Sequence, residues 1–225
     1  MSLIRKNNNL DNLQLFLVCL IPFALVFSRF IADLSLVLVC IIFFIKNHKN
    51  LKLIFFNNIF FKFFFIFWII IVVRSLLSED ILFSLKSSFF YIRFLFFAIA
   101  VKFLFQLNKN FFYYFFLSVS FCILAVVLDG FIQFIFKKNI FGYPINEFSY
   151  GVYRLSGFFK DELIIGSFVS RMLPFYLGLY MYCRHVKLIE NKDNYIFLFI
   201  VLSTLLVILS GERLASFFAF ITLII

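Results

Sequence analysis

Charged residues are scarce in this sequence: Asp, Glu, Lys and Arg together make up 14% of its 225 residues. Hydrophobic residues account for 64%, and the mean hydropathy is +1.08. This shortage of charge excludes a soluble domain, because a chain of this length could not bury so much apolar surface in one core. Several apolar runs approach the roughly 20 residues that cross a bilayer as a helix. The composition therefore predicts an all-α protein, a polytopic helical bundle integral to a membrane.

Cysteine and histidine are also few, and their positions argue against a metal centre. The two histidines, His48 and His185, are expected in loops on the cytoplasmic side. The four cysteines lie in or beside apolar runs and show no redox or zinc spacing: Cys19, Cys40, Cys122 and Cys183. We interpret them as small core side chains. No metal and no cofactor is expected.

Acidic residues are outnumbered by basic ones, 11 against 21, which gives a formal net charge of +10. In a soluble protein this excess would indicate nucleic acid. Here the basic residues are densest in short loops, where Lys and Arg fix the orientation of membrane helices. We therefore expect membrane lipids and no nucleic acid as partners. The 41 phenylalanines are interpreted as lipid-compatible filler.

The apolar runs predict about eight transmembrane helices with the N-terminus in the cytoplasm. Arg5 and Lys6 precede the first run, but no small-residue cleavage site follows, so the first helix is expected to remain. A short surface helix is expected between the third and fourth crossings. The predicted crossings are 13–27, 31–45, 63–77, 89–106, 111–135, 163–183, 195–210 and a last one after the segment "SGER".

The last apolar run, Leu214 to Ile225, has 12 residues. At 1.5 Å per residue it covers ~18 Å of a hydrocarbon core that is roughly 30 Å thick. The chain is therefore interpreted as a single transmembrane domain, 1–225, that is truncated at its C-terminus.

The longest loop, residues 137–162, is predicted to lie outside the cytoplasm, and it contains an unusual number of polar residues for this sequence. Gly142 and Pro144 permit tight turns. Arg154 offers a fixed fork of donors that matches a phosphate, and Gly157 would let a bulky ligand approach the backbone. The alternative is a solvated loop whose arginine meets lipid headgroups.

Two further polar groups precede this loop on the fifth crossing. Asp129 and Gln133 are four residues apart and therefore share one helix face. A buried Asp in a membrane helix is costly and usually has a partner. Arg171, at a similar depth on the sixth crossing, is the expected partner. The pair could equally be structural.

A second polar turn, "LSGERLASF", joins the seventh and eighth crossings. Ser210 and Gly211 end one helix, and Glu212 and Arg213 are expected at the outer surface. Two arginines converging on that surface could clamp a diphosphate. The alternative is a basic helix end that contacts lipid headgroups.

The segments "LDGFIQ", "FGY", "YRLSGFF" and "LSGERLA", in this order, resemble the O-antigen ligase and polymerase superfamily of bacterial envelopes. Its Arg-x-x-Gly-x-Phe segment matches Arg154, Gly157 and Phe159, and its Ser/Thr-Gly-x-Arg turn matches Ser210 to Arg213. The resemblance implies an inner-membrane enzyme of lipopolysaccharide biosynthesis. Such an enzyme transfers a polysaccharide from an undecaprenyl diphosphate carrier to lipid A–core or to another glycan.

The sequence also departs from that family. Lys160-Asp161-Glu162 stands where an Asp-Pro-Asn-like step is typical, and neither histidine falls in a segment predicted to lie on the periplasmic side. The general base therefore stays unassigned, with Asp161 and Glu162 as weak candidates. A transporter or flippase, using Asp129, Arg93 and Arg171, is the alternative function. Sparse Gly and Pro within the crossings and the lack of internal repeats argue against it, and an inactive scaffold is a third interpretation.

Overall fold

A computed structural model describes residues 8–48, 59–108, 110–148, 152–189 and 193–224. Within these ranges nine α-helices, one short hairpin and one 3₁₀ turn follow one another along the chain. The helices are α1 Asn8–Phe27, α2 Arg29–Asn47, α3 Ile59–Ser75, α4 Ile81–Phe90, α5 Ile92–Leu107, α6 Asn110–Phe136, α7 Ile165–His185, α8 Asp193–Leu209 and α9 Arg213–Ile224. The strands are β1 Asn146–Phe148 and β2 Val152–Arg154, and the 3₁₀ turn is Gly157–Phe159.

The helices form where the apolar runs predict them. α1 ends at Phe27 and α2 begins at Arg29, at the polar interruption of the first long run. A short helix follows the third run: α4, which a turn at Tyr91 separates from α5. Its expected position at the membrane surface stays a prediction, because α4 and α5 together belong to a segment that is long and apolar enough to cross a membrane. The helical architecture is therefore confirmed.

Among the described residues, four segments are long and apolar enough to cross a membrane: Asn9–Phe27, Arg29–Asn47, Ile81–Leu107 and Asn110–Phe136. The helices Asp193–Leu209 and Arg213–Thr222 are apolar but shorter. Many large apolar side chains on the described helices point outward, among them Phe30 and Phe63. Such surfaces are typical of helices that face lipid. The finer count of eight crossings stays a prediction.

The described residues form two compact units. The first contains the start of α1 and the chain from Phe30 to Phe111. Within it, α1 and α2 are joined by polar contacts in an otherwise apolar pair. The Lys46 ammonium and the Asp11 carboxylate form a buried ion pair, and Gln14 Nε2 donates to Val39 O at 3.1 Å.

The second unit contains Pro22–Arg29, which runs from the last part of α1 to the first residue of α2, and the chain from Phe112 onward. Its core is an apolar stripe along α7 that packs against α6, α8 and α9. Buried side chains recur on α7 at helical spacing: Ile165, Val169, Leu173, Tyr176, Tyr180 and Cys183. Ala215 and Ala219, one turn apart on α9, are also buried. Small residues at this spacing let helix backbones approach closely, which is how membrane helices gain packing energy.

Candidate functional site

The candidate site is built on the chain that connects α6 to α7. After α6 the chain folds back through a tight loop in which Asn139 N donates to Tyr143 O at 2.9 Å. Strands β1 and β2 then pair antiparallel, with Asn146 opposite Arg154. Arg154, half-buried, is the last residue of β2. Residues 149–151 of the connecting loop lie outside the described residues.

Gln133 fixes this loop to the end of α6. Its Oε1 accepts hydrogen bonds from Ser156 N at 3.0 Å and Gly157 N at 2.7 Å. Its Nε2 donates to Pro144 O and to Ser156 Oγ, both at 3.2 Å. The side chain is fully buried, at 0% exposure. A buried amide that uses both ends in this way holds two segments of the loop in one arrangement.

Asp129, one turn earlier on α6, holds the other side of the same loop. Its Oδ1 accepts from Ile140 N at 3.0 Å, whereas its buried Oδ2 has no hydrogen-bond partner. Asn139 Nδ2 donates to Gly157 O at 2.8 Å and completes the connection. The Asp129 and Gln133 side chains therefore contact a common loop, as their four-residue spacing implies.

The expected pairing of Asp129 with Arg171 requires a correction. Arg171 is exposed on α7, whereas Asp129 has 0% exposure. One oxygen of the carboxylate, Oδ1, accepts a hydrogen bond from the backbone N–H of Ile140. A backbone donor brought in by the folded loop takes the place of the arginine that we expected. This contact could not be predicted from the sequence, because it depends on how the loop folds back onto α6.

Gly157 also has a role that differs from the expected one. Its φ is +53°, a conformation that side-chain-bearing residues rarely adopt. A Cβ at this position would lie 2.7 Å from Ile165 Cδ1 and 3.1 Å from Asp129 Oδ2. The space that was expected to admit a ligand is therefore filled by protein. Glycine is required here for close packing of the loop on α6 and α7.

The turn between α8 and α9 lies directly against β2. Gly211 has φ +76°, and a Cβ there would lie 3.2 Å from Tyr153 O and 3.5 Å from Arg154 Cγ. Arg213, two residues on, is exposed at the first position of α9. The two sequence segments that carry the arginines are therefore brought together at one end of the second unit.

Glu212, expected on the outer side of the membrane, is partly buried because it caps α7. Its carboxylate accepts from Gly166 N at 2.8 Å, from Ser167 N at 3.0 Å and from Ser167 Oγ. Helix α7 begins after Ile164, which offers no side-chain cap of its own. A carboxylate at this end also complements the positive end of the helix dipole. Glu212 thus fixes the turn that carries Arg213 to the start of α7.

The charge around this end is mainly positive. Lys137 Nζ lies 4.5 Å from the centroid of the Tyr153 ring, in a cation–π contact. Glu162 forms an exposed ion pair with Arg29 at 2.6 Å, so its carboxylate is already engaged. Asp161 is exposed. Neither carboxylate is held in a buried position that would make it a strong general base.

No group of three His, Cys, Asp or Glu side chains that could hold a metal ion occurs in the part of the chain that the structure describes. The site's polar chemistry consists of guanidinium groups, amides, hydroxyls, the buried carboxylate of Asp129 and the partly buried carboxylate of Glu212. No family model, curated protein or solved structure matches the chain.

Proposed function

We propose that this chain is a multi-pass protein of the bacterial inner membrane that holds the diphosphate of a lipid-linked glycan at Arg154 and Arg213. The glycan would pass from undecaprenyl diphosphate to lipid A–core or to another glycan chain. The observation that carries the proposal is the contact of the Gly211 turn with the Arg154 stem, where a Gly211 Cβ would lie 3.5 Å from Arg154 Cγ. The proposal is therefore that the two segments that carry the arginines form one binding surface.

The chemistry calls for this arrangement. In glycosyl transfer the acceptor hydroxyl oxygen attacks the anomeric carbon, and the bond from that carbon to the diphosphate oxygen breaks. The electron pair leaves with the lipid diphosphate, so negative charge grows on the phosphate oxygens. Guanidinium groups stabilise that charge through paired hydrogen bonds. The hydroxyl proton passes to a general base, which is not assigned to any of these residues.

The surrounding contacts support a rigid site. Gln133 and Asp129 hold the Arg154 loop on α6, and Glu212 holds the Arg213 turn on α7. Donors that are fixed before the charge develops need no reorganisation during the reaction, which is why such sites are effective. The network therefore positions the arginines and does not itself touch substrate.

The test is the replacement of Arg154 in the full-length protein, expressed in cells that lack their own transfer activity. We expect Arg154→Ala to lower glycan transfer about a hundredfold or more, the cost typical of removing one charge-stabilising donor. Arg154→Lys, which keeps charge but loses the fork, should retain part of the activity. Transfer is read from silver-stained gels of the glycolipid.

The matched control is Lys138→Ala, which removes an exposed cation from the same loop. It should leave transfer within about twofold of wild type, because exposed charges act weakly through solvent. Wild-type transfer by Arg154→Ala at an equal protein level would contradict the proposal, as would an equal loss in Lys138→Ala.

One observation favours the alternative, a transporter or flippase. The ion pair of Lys46 with Asp11 is buried within two membrane-type helices, and buried ionisable groups in membrane helices often mark transport paths. Reconstitution in proteoliposomes separates the two functions. Movement of a labelled lipid-linked glycan across the bilayer without any transfer product would favour the transporter.

A further inference from the structure

A cleft with mainly apolar walls lies in the first unit. It has a volume of ≈ 550 Å³ and lies between the end of α3 and the helix α4. Apolar walls come from Ile70, Leu77 and Phe83. Five serines and Arg74 complete the lining. This volume falls in the range of sites that hold small molecules and headgroups.

The cleft is held open by its own hydrogen bonds. Ser75 Oγ donates to Ile71 O at 2.9 Å and also contacts Ser88 Oγ, and Ser78 Oγ donates to Ser75 O at 2.9 Å. Trp68 Nε1 donates to Ser88 O at 3.0 Å. These contacts fix the two helices against each other, so the cleft does not depend on a ligand for its shape.

The remaining polar groups of the cleft are free to bind. Among the residues that the structure describes, the Arg74 guanidinium and the hydroxyls of Ser84 and Ser87 have no hydrogen-bond partner. A guanidinium with two hydroxyls is the donor set that recognises a phosphate. Because Ser84 and Ser87 are three residues apart on α4, they share one helix face.

The charges beside the cleft select among phosphate-bearing ligands. Glu79 and Asp80 form the turn that joins α3 to α4, and both are exposed. Arg74 is the cation that lines the cleft. Two carboxylates next to one cation repel a ligand with excess negative charge and attract a positive group. The pattern therefore fits a ligand that carries a phosphate and an ammonium together.

The surface around the cleft fits acyl chains. Phe83 is 74% exposed and Ile70 is 60% exposed, and both line the cleft. Exposed apolar side chains at the mouth of a phosphate-binding pocket match a molecule with a polar head and a hydrocarbon tail. Free inorganic phosphate would leave this apolar surface unused.

We propose that the α3–α4 cleft binds the headgroup of a zwitterionic phospholipid. Its phosphate contacts Arg74, Ser84 and Ser87, and its ammonium faces Glu79 and Asp80. The proposal rests on the membrane location of the chain, and it is independent of glycan transfer. A variant that loses lipid at this cleft but keeps glycan transfer would separate the two proposals. A variant that keeps the lipid but loses glycan transfer would also separate them.

The test is native mass spectrometry of the purified full-length chain in detergent, titrated separately with phosphatidylethanolamine and phosphatidylglycerol. We expect the wild type to retain phosphatidylethanolamine preferentially. Arg74→Gln should lower its retention about tenfold, the ratio expected for one charge-assisted hydrogen bond. Glu79→Gln with Asp80→Asn should remove the preference over phosphatidylglycerol. Inorganic phosphate should not displace the bound lipid.

Two further variants keep the test decisive. Lys86→Gln removes an exposed cation from α4 that does not line the cleft, and it should retain lipid as the wild type does. Ser84→Ala with Ser87→Ala removes hydroxyls that make no internal hydrogen bond, so the fold should persist while retention falls. Wild-type retention in Arg74→Gln, an equal loss in Lys86→Gln, or preference for phosphatidylglycerol would overturn the proposal.

Discussion

Two buried glutamines on apolar helices show how differently a polar group can be used in this protein. Gln14 on α1 makes one hydrogen bond, from its Nε2 to Val39 O at 3.1 Å. Gln133 on α6 contacts the backbone of four loop residues and one hydroxyl. The first joins two helices. The second folds a loop, and that loop carries Arg154.

The acidic groups beside these glutamines show the same contrast. Asp11 is paired with the Lys46 ammonium, so its charge is balanced within the helix pair. Asp129 instead accepts from the backbone N–H of Ile140. A charge pair needs only its partner, whereas Asp129 needs the whole loop in place. Polar groups in an apolar helix can thus act as helix contacts or as the foundation of a site.

The largest expected effect tests this contrast directly. Gln133→Leu would leave Ser156 N and Gly157 N buried without their acceptor, at about 1–3 kcal/mol for each unsatisfied group. We therefore expect the variant to unfold or to lose its loop structure, with a loss of roughly 2–6 kcal/mol in stability. Thermal unfolding in detergent, followed by circular dichroism, measures the change.

The matched variant is Gln14→Leu, at a glutamine that is equally buried. Val39 O remains within the hydrogen-bond ladder of α2. Loss of the Gln14 hydrogen bond should therefore lower the stability by only about 1 kcal/mol. If both variants lost the same stability, the special role of Gln133 as the support of the loop would be wrong.

A smaller effect is expected at Gly157. Gly157→Ala places a Cβ 2.7 Å from Ile165 Cδ1 at a φ of +53°, and both the overlap and the backbone conformation are unfavourable. We expect a loss of about 1–3 kcal/mol, typical of overpacking. The same variant should reduce glycan transfer, because the Arg154 loop would shift away from α6.

Gly178→Ala on α7 serves as its control, since a Cβ there meets no atom within 4 Å. Alanine favours a helix over glycine by about 0.5–1 kcal/mol, so this variant should be neutral or slightly more stable. Equal behaviour of the two glycine variants would show that the loop tolerates movement at Gly157, and the account of a packed, rigid loop would fail.

The helices could be predicted from the sequence because their pattern is local. Apolar runs broken by polar residues gave the break between Phe27 and Arg29, and the turn that precedes Arg213. The boundary between α4 and α5 at Tyr91 was predicted less precisely, because the apolar run continues through Tyr91. Hydropathy predicts the length of an apolar segment well, but it predicts turns within that segment poorly.

The contacts that build the site could not be predicted because they join distant parts of the chain. Glu212 caps α7 by accepting a hydrogen bond from Gly166 N, 46 residues earlier in the chain. Gln133 binds the backbone of Gly157, 24 residues on. Ile164, which precedes α7, has no side chain that could accept a hydrogen bond from the first N–H groups of the helix. This indicates that the acceptor comes from another part of the chain. A single sequence gives no means to choose which acceptor.

The central claim is that the Arg154 segment and the Arg213 turn face the same side of the membrane. The measurement that tests it is labelling by a membrane-impermeant maleimide of single cysteines at Tyr153, Arg213 and Lys187, in a chain whose four native cysteines are replaced. We expect Tyr153→Cys and Arg213→Cys to react from the periplasmic side of intact cells. Lys187→Cys, beyond the other end of α7, should react only after the membrane is permeabilised. Reaction of the first two positions from opposite sides would contradict the account.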